Sequence, residues 1–452
     1  MKKKTIEKTE DFIEEFEKAS SVHLGEISDE IKKDQKKISD NVKKASKVVG
    51  PGVITGFSDD DPSGIGTYSI TGAKYGLGLN WLMPIQIPLM IAIQEICARI
   101  GIVTGHGLAG NIKKHYSKYL LFLVVFVLVG ANIFNIGADI SAMSATLSLI
   151  LGGKISFWAI ITTLIIIFLE VFISYRIYAN ILKWLTIFLL TYLLTLFAVP
   201  QNWTDIGKSL FTYSNWQFNG EYIMTTVAFL GTTISPYLFF WQASEEVEEK
   251  ALNDDASSKY VHPKMLKKMR VDTVLGMVLS QLIAFSIVVT CATVLNKNGI
   301  NNISSAQDAA LALQPLVGDM AGLFFMIGII AAGLLGIPIL AGSAAYALSE
   351  AFGWKEGLFH KFKEASGFYG IIIISTLCGL GINFIGIDPI KGLFYSAVLN
   401  GIVAVPLIAM IVLISSRKDV MGKYTNKPIS KVLGWLTFAI MLIAVIAMFI
   451  YL

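Results

Sequence analysis

Residues 50–76 read GPGVITGFSDDDPSGIGTYSITGAKYG, an apolar stretch long enough to cross a bilayer with three aspartates, Asp59, Asp60 and Asp61, at its centre. One carboxylate at the middle of a spanning helix costs about 2.5–3.5 kcal/mol on insertion scales, so three in a row demand a reason. Pro62, Ser63, Gly64 and Gly66 follow directly. Proline removes a backbone donor and glycine lacks a Cβ, so the spacing predicts an interrupted helix here. An interrupted helix with carboxylates at its break is how many secondary transporters build a site near the bilayer midplane.

The rest of the chain has the composition this reading requires. Of 452 residues, 54% are hydrophobic and 15% charged, and the mean hydropathy is +0.62. That excludes an ordinary soluble domain. No nucleophile–base pair and no HExxH metal motif is legible, which argues against an enzyme, and nothing suggests a bound cofactor or a nucleic-acid partner. Cys97, Cys291 and Cys378 all lie in apolar runs and read as small buried hydrophobes rather than a disulfide frame. The charged, helix-prone start predicts no cleavable signal peptide.

Residues 1–48 hold twelve lysines and read as a charged cytosolic arm. Residues 49–452 read as an all-α integral membrane domain. Eleven transmembrane spans are expected, at 50–77, 81–104, 118–150, 155–173, 179–199, 222–243, 271–295, 318–349, 366–385, 388–415 and 433–452, since about 20 apolar residues cross a hydrocarbon core. With the arm in the cytoplasm, the segments facing inward carry 31 of the 37 Lys and Arg residues. This asymmetry predicts an inside N-terminus in a plasma membrane.

The sixth span, TTVAFLGTTISPYLFFWQASEEVEE, is also interrupted, at Thr232-Thr233-Ile234-Ser235-Pro236-Tyr237. Two broken spans five apart run in opposite directions. Matching breaks in two halves point to an inverted 5+5 repeat, about 50–199 and 222–415, with a peripheral last helix.

At such breaks, backbone groups lose their helical partners and must find others. Freed carbonyls near Ser58 and Thr232, with carboxylate and hydroxyl oxygens, suit hard cations such as Mg²⁺ or Mn²⁺. Asp61 is the leading ligand. Successive helical residues point about 100° apart, so the three aspartates are not expected to share one site. Ser235 and Tyr237 are candidate substrate contacts or plain interhelical bonds. Asp139, in NIFNIGADISAM beside Asn132 and Asn135, reads as a proton relay or a packing partner. Asn400 in the tenth span is a candidate site residue. Glu95 and Arg99 are four apart and should pair. Glu170 should reach the interface, and Glu245, Glu246, Glu248 and Glu249 read as a solvated charge run.

Several stretches resemble the Nramp family of divalent-metal transporters, and its more distant Nramp-related branch in particular. They are GPG at Gly50–Gly52, Asp61-Pro62, GAKYG at Gly72–Gly76 and ARIGIVTG at Ala98–Gly105. The resemblance covers roughly residues 50–430 and implies a LeuT-type fold with discontinuous first and sixth helices. The family's metal motif Asp-Pro-Gly-Asn stands here as Asp61-Pro62-Ser63-Gly64, with Gly64 in place of the asparagine. Its Met-Pro-His stands as Ser235-Pro236-Tyr237. The family's carbonyl ligands fall on Ser58 and Thr232, and Asp139 falls on its proton path. The path's glutamate is replaced by Ala142, and the ninth span lacks its arginines.

Replacing thioether by hydroxyl weakens discrimination against Mg²⁺ and Ca²⁺. The expected function is therefore a monomeric secondary transporter or facilitator for a divalent cation, Mg²⁺ or Mn²⁺, working by alternating access. Asp61 and Ser235 are the expected metal ligands, helped by Asp60, Ser58, Gly64, Thr232, Tyr237 and Asn400; the motif losses count against proton symport. The alternative is a small polar organic solute, a sugar or an amine, in the same broken-helix site; a membrane receptor with the basic arm as output is the rival from another class.

Overall fold

A computed structural model of the chain describes residues 50–173, 175–212, 219–252, 261–301, 303, 319–385 and 389–451. The basic arm at 1–48 lies outside the described residues.

The first span is two helices, α1 (Pro51–Ser58) and α2 (Pro62–Tyr75). Both begin on proline, whose missing N–H costs nothing in a first turn. Between them Asp61 leaves the helical conformation and caps α2. Next come α3 (Leu82–Thr104), the short α4 (Leu108–His115), α5 (Lys118–Leu151) and α6 (Ile155–Phe172). The expected continuous fifth span is divided into α7 (Tyr175–Leu189) and α8 (Thr191–Ala198), and the chain turns by 120° into α9 (Trp203–Ser209). The sixth span is again two helices, α10 (Gly220–Thr233) and α11 (Pro236–Leu252). The remainder is α12 (Pro263–Val294), α13 (Asp319–Phe352), α14 (Ser366–Ile382), α15 (Pro389–Ser416) and α16 (Pro428–Tyr451).

Among the described residues, eight helices are long and apolar enough to cross a membrane, or nine if the bent pair counts as one. The shortfall from eleven has a local cause. The aspartates divide the first span into helices of 8 and 14 residues, and α14 is only 17 long. Large apolar side chains such as Phe172, Phe197 and Ile450 are more than 70% exposed, a cost in water that disappears against lipid. The apolar window of α16 is only 28% buried, against 83% for the sixth span.

Without a hydrophobic drive between helices in lipid, close backbone packing carries more of the association. The α1–α12 contact is of this kind. A Cβ built on Gly56 would lie 2.2 Å from the Gly276 carbonyl carbon, so only glycine fits. At the start of α1, the Asp272 carboxylate of α12 accepts the N–H groups of Gly50 (2.8 Å) and Gly52 (2.7 Å). These are donors that a helix N-terminus leaves without internal partners. The same tight approach joins α10 to α15, where Gly231 meets the Ala397 carbonyl and Gly401.

Three sequence expectations away from the site meet different outcomes. Glu95 and Arg99 do pair (3.4 Å), and Arg270 joins Glu95 at 2.9 Å. Glu245, Glu246 and Glu248 are not a solvated run, being 2–3% exposed. α11 continues to Leu252 against α3 and α13, which encloses them. Gln242 donates to Glu246 (3.0 Å), and the Tyr346 hydroxyl and the Leu358 N–H (2.7 Å) donate to Glu248. Glu249 does keep a partly exposed position, with Lys268 at 3.8 Å. Glu170 does not reach an interface either; it is buried on α6, which packs against α14.

Candidate cation site at the two helix breaks

Asp61 stands where the α1–α2 break meets α5, α11 and α13. Its Oδ1 accepts the Gly64 N–H (2.7 Å) and the Ser63 hydroxyl (2.7 Å). Its Oδ2 accepts the Asn135 amide of α5 (2.8 Å) and, at 3.3 Å, the Tyr237 hydroxyl of α11. That phenol also reaches the freed carbonyl of Ser58 at 2.8 Å, so one side chain of the second break ties together two groups of the first. Over this arrangement lies Gly336 of α13, where an added Cβ would sit 2.9 Å from the Asp61 Cβ.

Thr232, Ser235 and Asp139 lie near the two breaks. Thr232, the penultimate residue of α10, is close to Gly64: a Cβ on that glycine would lie 2.9 Å from the threonine hydroxyl. Ser235 is buried at the second break, and its hydroxyl proton is directed to the Thr232 carbonyl (2.7 Å) and the Gly231 carbonyl (3.0 Å). Its lone pairs remain available, but the Thr232 carbonyl is already engaged. Asp139 accepts the Ser63 N–H at 3.2 Å, and its second oxygen has no hydrogen-bond partner. Asn400 is 1% exposed with both amide atoms unpartnered, one residue before the Gly401 contact with Gly231.

Asp60 does not share the partners of Asp61. It is wholly buried, and neither of its oxygens has a hydrogen-bond partner. Asp59 turns to α12, where Ser280 donates to it at 3.1 Å. Among the described residues, no three His, Cys, Asp or Glu side chains converge on one point.

Asn135, Ser63 and Gly336 were not singled out as site residues by the sequence. Asn135 had a legible signal, one helical turn before Asp139. Gly336 had none, being one small residue in an apolar run.

Chemically, the donor set is oxygen throughout: carboxylate, phenol, amide, hydroxyl and carbonyl. Such a set suits a hard cation, and without a closed carboxylate cage the ion would keep part of its water, as Mg²⁺ commonly does.

Comparison with known proteins identifies the family. The family described as natural resistance-associated macrophage protein-like, Nramp, matches residues 52–451. The chain is 27% identical over 431 residues to the divalent metal cation transporter MntH of Clostridium acetobutylicum, covering 88% of this chain and 89% of that one. It is 23% identical over 452 residues to the MntH of Listeria innocua, covering 96% and 95%. Its fold is similar to the manganese transporter of Eremococcus coleocola, with a TM-score of 0.70 at 18% identity over 89% and 85% of the chains. It is also similar to MhsT, crystallised with L-phenylalanine, with a TM-score of 0.56 at 14% identity over 88% and 98%. The chain belongs to the Nramp family, whose members are membrane transporters and not enzymes.

Proposed function

We propose that this chain moves a divalent cation, Mg²⁺ or Mn²⁺, across the plasma membrane by alternating access, with Asp61 as the central ligand. The observation that carries this reading is the Asp61 carboxylate. It is buried at a helix break and held by donors from α2, α5 and α11, next to the Ser58 carbonyl. Ser235, Tyr237 and Asn400 complete the site, together with the second lone pair of the Thr232 carbonyl, whose first takes the Ser235 hydroxyl. Relatives named for divalent metal transport favour a metal over an organic solute. The oxygen-only donor set favours Mg²⁺ and Mn²⁺ over softer metals.

In this reading the chain has eleven spans. The first and α14 count among them, and spans 1–5 and 6–10 form the inverted repeats. The N-terminus is cytoplasmic. Asp139 retains a place beside the site, but with Ala142 where the family has glutamate, transport proceeds without tight proton coupling.

The test is uptake of Mn²⁺ and Mg²⁺ into proteoliposomes. Asp61→Ala is expected to abolish uptake while the protein stays monodisperse. Uptake at the unaltered rate in that variant removes the site from the mechanism.

A further inference from the structure

We infer that the connector between α13 and α14, with the end of α4 beside it, is a binding surface for anionic lipid. Trp354, Phe359 and Phe362 lie at the headgroup level, and Lys113, Lys355, Lys361 and Lys363 meet the lipid phosphates. The inference goes beyond the transport reading and uses no residue of the Asp61 site.

Two segments far apart in sequence come together here. Glu350, near the end of α13, accepts the N–H groups of Gly107 (2.5 Å) and Gly110 (2.8 Å) at the start of α4. Lys113 of α4 donates to the Glu350 backbone carbonyl at 3.2 Å, and a Cβ on Gly353 would lie 3.0 Å from its Nζ. The connector backbone is also tied from beneath. Glu248 of α11 accepts the Leu358 N–H (2.7 Å), and the Tyr369 hydroxyl of α14 donates to the His360 carbonyl (2.8 Å). These ties fix which side chains turn outward. Leu358 and Ala365 are 6% and 2% exposed, whereas Trp354, Phe359 and Phe362 are 48%, 41% and 42% exposed.

The outward rings continue a surface that faces lipid. Trp354 stacks on Phe352 with ring centroids 5.0 Å apart, Phe352 meets Phe122 of α5 at 5.6 Å, and Phe122 stacks on Phe126 at 6.1 Å. Both α5 and α13 are long and apolar enough to cross a membrane, and Phe126 is 58% exposed on α5. The aromatic ridge therefore runs out of the hydrocarbon and ends on the connector, where amphipathic rings favour the membrane–water interface. This continuity says what covers the exposed rings, which in water would be an unfavourable apolar patch.

Charge selects the lipid. The Glu350 and Glu248 carboxylates point inward onto backbone N–H groups, while Lys113, Lys355, Lys361 and Lys363 are exposed. Glu364 is the exposed carboxylate of the connector, 3.8 Å from Lys355. Lysine stems can lie along the rings while the ammonium groups reach phosphate. Each basic side chain near an anionic surface strengthens the attraction about fivefold.

The test is fluorescence quenching in the full-length protein reconstituted into phosphatidylcholine vesicles. The emission of Trp354 is the difference between wild type and Trp354→Phe. The vesicles carry a small share of brominated phosphatidylglycerol or, in parallel, brominated phosphatidylcholine, with bromine near the carbonyl end of the acyl chains. Brominated phosphatidylglycerol is expected to quench Trp354 about fivefold more effectively than brominated phosphatidylcholine. The combined variant Lys355→Gln, Lys361→Gln, Lys363→Gln, shown intact by gel filtration, is expected to quench equally with both. Equal quenching by the two lipids in the wild type overturns the anionic site. No quenching by either means that water or a soluble partner covers the rings, and it overturns the membrane placement as well. A preference that survives in the combined variant overturns the assignment to these lysines. None of these outcomes bears on uptake through Asp61.

Discussion

Asp272→Asn should release the start of the first span. The wild-type carboxylate takes two N–H groups, from Gly50 and Gly52, at 2.8 and 2.7 Å. Hydrogen bonds to a charged acceptor contribute about 1.5–3 kcal/mol each. An asparagine keeps one carbonyl oxygen for one N–H and turns a donor toward the other. The change therefore weakens the hold on α1 by about 2.8 kcal/mol, which is about 100-fold in the equilibrium between docked and undocked α1. The assay is thiol labelling of Val53→Cys, a position on α1 that is 3% exposed. Cys378 is exposed and is replaced by alanine in the background, whereas Cys97 and Cys291 are buried. Labelling should accelerate about 100-fold in Asp272→Asn. A rate within about 3-fold of the parent, in protein with unchanged helicity, means that this carboxylate does not hold α1, and the argument fails.

The remaining predictions concern packing and pH. Gly56→Ala drives a methyl group to 2.2 Å from the Gly276 backbone, so α1 must move and stability falls by about 1–3 kcal/mol. A Cβ at Gly130 meets nothing within 4 Å, so Gly130→Ala should gain about 0.5–1 kcal/mol. Thermal midpoints falling in the first variant and rising in the second check the pair. Burial, and next the Glu350 and Glu248 carboxylates, push the Glu356 carboxyl up from 4.5 to about 10, against a smaller opposing effect of Lys113. Between those values the folded protein holds a proton that the unfolded chain has lost, so this group makes stability fall as pH rises from about 5 to about 10. Glu356→Gln should flatten the dependence of the thermal midpoint on pH over that window; an unchanged slope refutes the assignment.

Much of this architecture was legible because lipid makes the rules strict. Apolar length and interrupted periodicity identified the all-helical class and both breaks, since no backbone group can be left without a partner in a bilayer. The prediction faltered where a helix is short or enclosed by a distant one. α14 is brief, the fifth span is divided, and the enclosure of Glu248 involves Tyr346 and Leu358, about a hundred residues away. At the site, Asp61 and Tyr237 announced themselves through the motif. Ser280 and Gly336 did not, because a single serine or glycine in an apolar helix has no periodicity to betray its neighbour.

The Tyr237 hydroxyl has one consequence beyond holding a carboxylate. Of the four donors on Asp61 it is the most distant, at 3.3 Å, and its shorter bond is to the Ser58 carbonyl. An arriving ion needs room on Oδ2, and this phenol is the donor that yields most easily. Cargo would thus be sensed by the sixth span as a broken tether, while Gly64 and Ser63 keep the second half of the first span wound. The gate would learn of its passenger through one bond given up.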